Sequence, residues 1–64
     1  MTWCLCRFED NNPPDIIKDF ESLEEAEAFY KDYSKLMVKL YGRDFFFEES
    51  LAGYSYGIVR EDQL

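Results

Sequence analysis

Cys4 and Cys6 stand two residues apart in Trp-Cys-Leu-Cys-Arg, the only cysteines of the chain and the side chains best suited to redox or metal chemistry. In an extended segment they share a face with Cβ atoms roughly 6–7 Å apart. A disulfide wants about 3.5–4.5 Å between those atoms. The sequence contains no histidine, and two thiolates alone do not complete the four-ligand shell of zinc. Buried, reduced thiols are therefore the expectation, with a zinc site shared across a dimer, or redox or intermolecular pairing, as the alternatives. Neither thiol has an imidazole to activate it. Ser34, Ser50 and Ser55 likewise have no evident base.

Carboxylates are the other candidates for chemistry, in the adjacent pairs Glu9-Asp10, Glu24-Glu25 and Glu48-Glu49. A catalytic pair needs opposed groups across a cleft and environments that separate their pKa values. Neighbours along a strand point to opposite faces instead. Three glycines form no phosphate-cradling loop, and Glu-Asp-Asn-Asn-Pro-Pro-Asp lacks the ligand spacing and glycine of a calcium loop. A unit of this size has little room for a pocket of about 300 Å³ or more. The chain is thus expected to be no enzyme and to carry neither cofactor nor metal.

The elements that would position these residues follow from local signals. Thr2 to Phe8 is rich in strand formers, with Cys4, Cys6 and Phe8 on one face and Trp3, Leu5 and Arg7 on the other; the cysteine face is expected to meet the core. Residues 9 to 15 form a turn by composition, since Asn and Asp tolerate unusual backbone angles and the two prolines stop ladder hydrogen bonding. Asp-Ile-Ile-Lys-Asp-Phe, residues 15 to 20, fits the return strand of a hairpin, or else a long loop. Ser22-Leu23-Glu24-Glu25 is a capping box. Leu23, Ala26, Phe29, Tyr30, Tyr33, Leu36, Met37, Leu40 and Tyr41 then recur at helical spacing, and Gly42 supplies the stop. The spacing predicts a helix over 22–41. Arg43 to Glu49 and Gly53 to Glu61, joined by Ser50 to Gly53, read as a second hairpin, with Gly57 marking a bulge or a close approach by an aromatic ring.

The expected fold is a single small α+β domain over 1–64: an antiparallel sheet, β-β-α-β-β or β-α-β-β, with one long amphipathic helix packed on one face. Such a chain buries only about 60% of its unfolded surface. Six Phe, five Tyr and one Trp in 64 residues offer dense aromatic packing in compensation. No apolar run approaches the roughly 18 residues that span a membrane, and the start lacks a basic region followed by an apolar core. Together with reduced thiols this reads as a cytoplasmic protein without a membrane partner.

Charge is unevenly placed within the net −7. Residues 9 to 27 hold eight acids (Glu9, Asp10, Asp15, Asp19, Glu21, Glu24, Glu25, Glu27) against Lys18 alone, whereas residues 31 to 43 hold Lys31, Lys35, Lys39 and Arg43 against Asp32. An acidic chain repels phosphate, which argues against direct nucleic-acid binding. A compact acidic surface can instead occupy the basic groove of a nucleic-acid-binding protein, as a DNA mimic does. Read as a strand, Asp44 to Glu49 turns Phe45 and Phe47 to the helix and leaves Phe46 outward between Asp44 and Glu48. Phe46, Asp44, Glu48, Trp3, Asp15, Asp19, Glu24 and Glu27 are accordingly the expected partner-binding residues. The partner is expected to be a protein, either a host enzyme or nucleic-acid-binding protein, or a second copy of the chain.

In size, acidity and sheet-and-helix format the chain resembles the small proteins of phages and mobile elements, anti-restriction and anti-CRISPR inhibitors among them. That resemblance implies a non-catalytic module that covers a functional surface of a host protein. The alternative is a homodimeric structural or regulatory protein pairing through the outer face of its sheet.

Overall fold

The computed structural model describes residues 2–64. Strand β1 (Trp3–Glu9) turns into β2 (Asp15–Phe20), followed by the long helix α1 (Leu23–Tyr41), a short helix α2 (Phe45–Leu51), strand β3 (Tyr54–Arg60) and a closing 3₁₀ turn (Glu61–Gln63). The three strands form an antiparallel sheet in the order β2-β1-β3. The expected architecture of an antiparallel sheet under one long helix is therefore present, with β2 a true strand. Extents of 33 × 28 × 11 Å describe a thin slab of two layers.

Local chemistry accounts for most of these elements. Asn11 turns the β1–β2 hairpin at φ 65°, a left-handed angle that asparagine tolerates better than other non-glycine residues. The Ser22 hydroxyl accepts from the Glu25 amide at 3.2 Å, which caps α1 as its capping box predicts. At the other end Gly42, at φ 104°, donates its amide to the Val38 carbonyl and lets the chain leave the helix. The β1–β3 register is regular, while β2 carries an extra residue opposite the Leu5–Cys6 step. Gly57 is no bulge: a Cβ there would stand 3.4 Å from the Phe8 ring, so the aromatic approach is what the glycine permits.

Two expectations are corrected. The face of β1 that meets α1 is Trp3, Leu5 and Arg7, not the cysteine face. Leu5 is wholly buried with Phe20 and Ala26, and Trp3, Phe29, Tyr30, Tyr33 and Ile58 pack around them. A helix axis rides about 10 Å above a sheet, a gap that large side chains fill and thiols do not. Cys4 and Cys6 are also buried, but on the side away from α1, unbridged, where small groups suffice to be covered by sheet neighbours.

The second correction concerns residues 43–49, expected as a strand. Residues 45–51 are helix α2 instead. In a strand only alternate rings could share a face; in a helix, at 100° per residue, Phe45, Phe46 and Glu49 turn together toward α1 and β3. Seven rings then run in one connected series: Phe20 meets Phe29 at 5.2 Å, Phe29 meets Tyr33, Tyr33 meets Tyr56, and Tyr56 meets Phe46 and Phe45, which stacks on Tyr41. This aromatic series joins both helices to the sheet.

Candidate protein-binding surface

Helix α2 sorts its side chains by its own periodicity. On the inner side the Phe46 ring stands edge-on to Tyr56, 5.4 Å between centroids at 90°, and 5.0 Å from Phe45. Glu49 accepts a 2.7 Å hydrogen bond from the Tyr56 hydroxyl. Burial, and then this carboxylate, push the Tyr56 phenol well above its usual range. On the outer side Asp44, Phe47, Glu48 and Leu51 follow the i, i+3, i+4, i+7 spacing of a single stripe. Phe47 is 66% exposed and Leu51 74%. The stripe is thus two apolar knobs flanked by two carboxylates.

Beside α2 lies an open groove of about 390 Å³ lined by Tyr30, Ser34, Lys35, Val38 and Phe46, contrary to the expectation that a chain of this size has little room for one. Tyr30, Ser34 and Val38 fall four residues apart on α1, so they form one wall, and Phe46 supplies the other. Lys31 and Lys39 stand one turn before and after Lys35 on the same helical face. Among the described residues none of Lys31, Lys35, Lys39 and Arg43 makes an ion pair; the two pairs formed are Arg7–Asp15 at 3.1 Å and Arg60–Asp62 at 3.5 Å.

The expected partner-binding residues are dispersed by the fold. Phe46, placed outward in the strand reading, turns inward and is half-buried, and its neighbour Phe47 takes the exposed position between Asp44 and Glu48. Asp44 is exposed at the N-terminus of α2, and Glu48 is exposed one turn on. Trp3 packs against the core. Asp15 is engaged by Arg7, whose guanidinium also lies 4.7 Å from the Tyr54 ring centroid. Asp19 lies on the far sheet face, accepting from the Cys4 thiol at 3.2 Å. Burial, with this bond second, pushes that thiol up to about 11. Glu24 and Glu27 are exposed on α1. The structure therefore brings Asp44 and Glu48 together around Phe47, and leaves Trp3, Asp15, Asp19, Glu24 and Glu27 on other parts of the surface. Phe47, Leu51 and the groove residues Tyr30, Ser34, Lys35 and Val38 were not singled out as binding residues from the sequence, whereas Phe46 was. The 44-47-48-51 spacing would have revealed the stripe had the segment been read as helix.

Among the described residues no cluster of three or more His, Cys, Asp or Glu side chains is placed to hold a metal ion, and no helix is long and apolar enough to cross a membrane. Comparison with protein-family models, with characterised proteins and with solved structures finds no significant match to this chain.

Proposed function

We propose that this chain is a non-catalytic protein-binding module of the kind phages and mobile elements use to cover a functional surface of a host protein. The observation that carries the reading is the α2 stripe: Phe47 and Leu51, large and exposed, with Asp44 and Glu48 beside them. An aromatic side chain set among charges is the type of residue that anchors interfaces. Its cost in solvent is unrewarded unless something covers it. The net charge of −7 suits a partner with basic groups around an apolar pocket, including a nucleic-acid-binding groove, and would steer association.

Affinity purification from the cognate cell, comparing the wild-type chain with a Phe47→Ala/Leu51→Ala double variant, tests the proposal. A specific partner is expected with the wild type and is expected to be lost with the variant. Failure to capture any partner, or equal capture by both, would count against it. Binding led by charge should weaken steeply in salt, because exposed charges are screened beyond about 8–10 Å at physiological ionic strength.

A further inference from the structure

The outer sheet face, with Phe8, Ile16 and Val59 around the buried cysteines, is open, but nothing about its charge says what would cover it. The groove and the stripe on either side of α2 are different, because each is complementary to the other. The groove is apolar at its walls and basic at its rim through Lys35, with Lys31 and Lys39 one turn away on the same helix. The stripe is apolar at its crest and acidic at its flanks. Phe46, a groove wall, and Phe47, a knob, are consecutive residues turned about 100° apart on one helix. They cannot meet within one copy.

We infer that the groove receives the α2 stripe of a second copy of this chain. A twofold axis beside α2 sets each copy's Phe47 and Leu51 against the other's Tyr30, Val38 and Phe46, and each copy's Glu48 against the other's Lys35, so one contact is made twice. Seven basic residues serve fourteen acids in this chain, yet five of the bases make no ion pair among the described residues: Lys18, which lies over the Phe20 and Phe29 rings, and Lys31, Lys35, Lys39 and Arg43. The second copy's Glu48 gives Lys35, the one of them that lines the groove, a partner. Whole-molecule repulsion between two chains of −7 opposes the contact at low ionic strength. It acts over longer distances than the contact pairs and is screened first as salt is added. The inference rests on the same stripe as the proposed function, and it adds a consequence: the dimer covers the anchor, so a partner must compete with the second copy.

Purified chain alone decides the matter, studied by sedimentation equilibrium from about 10 µM to about 500 µM near physiological salt. A concentration-dependent dimer is expected. Lys35→Glu and Glu48→Lys, both at exposed positions, should each weaken it about tenfold or more by setting like charges face to face. An equimolar mixture of the two should restore it as a heterodimer, since one contact then carries the reversed pair and the other the native pair. Thermal melts of each variant at low concentration check that both still fold. A monomer throughout the range, a dimer insensitive to both single variants, or no rescue in the mixture would overturn the inference. None of these results bears on capture of a foreign partner by Phe47 and Leu51.

Discussion

The two halves of α1 are made of similar residues and meet different fates. In the N-terminal half Ala26 is wholly buried and Phe29 packs on Phe20, with the Lys18 ammonium 4.8 Å from the Phe29 ring centroid. In the C-terminal half Leu36 is 48% exposed and Leu40 60%, although both belong to the same apolar arc. Length accounts for part of this: nineteen helical residues span about 28 Å, while a seven-residue strand spans about 23 Å. The helix is longer than the strands it packs on, and α2 packs against it without covering Leu36 or Leu40. One end of the molecule spends its apolar residues on folding, and the other presents them.

Substitutions can break or sharpen that contrast. The largest effect belongs to the folding end, where Leu5→Ala should cost about 2–5 kcal/mol and lower the denaturant midpoint, because the cavity lies under a helix that cannot follow it down. Phe46→Ala, at the border between the ends, should cost about 2 kcal/mol, roughly half the penalty of a fully buried ring; chemical denaturation at low protein concentration measures it. If Phe46→Ala proved neutral, α2 would not be packed as described. Ser22→Ala removes the α1 cap and should cost about 1 kcal/mol, seen in the same titration.

Raised pKa values predict an alkaline limit to the folding end. The Cys4 thiol is held at about 11 in the folded chain against an ordinary 9.0. Its contribution is fully present below pH 9.0, where both states are protonated, and is lost as pH rises toward about 11, because the unfolded chain sheds its proton first. Cys6 is shifted in the same direction, chiefly by burial. Denaturant midpoints should fall across that window in the wild type and fall less in Cys4→Ala. The smallest effect on stability should come from the presenting end: Phe47→Ala should stay within about 0.5 kcal/mol of the wild type, while weakening whatever contact the stripe makes.

Much of this was legible from local sequence. Ser22, Glu25 and Gly42 announce the ends of α1, and its apolar spacing over five turns allows no other period. The composition of Asn11, Asn12, Pro13 and Pro14 announces the hairpin turn between β1 and β2. Phe45-Phe46-Phe47 announces nothing about period, because three adjacent rings satisfy neither a strand nor a helix pattern and phenylalanine favours strands on average. A seven-residue helix is too short to be stable alone. What settles it is Tyr56 and Tyr41, which accept Phe45 and Phe46 on one side and so send Phe47 out.

The sequence by itself thus determined the long helix, the turn after β1, the antiparallel sheet and the segregation of charge, because caps, turns and periodicity act over a few neighbouring residues. Only the tertiary structure decided which face of β1 lies beneath α1, and which phenylalanine is the exposed one. Both choices turn on volume: the wide gap under α1 takes Trp3 and Leu5 rather than two thiols, and the space between α1 and β3 takes two rings of three.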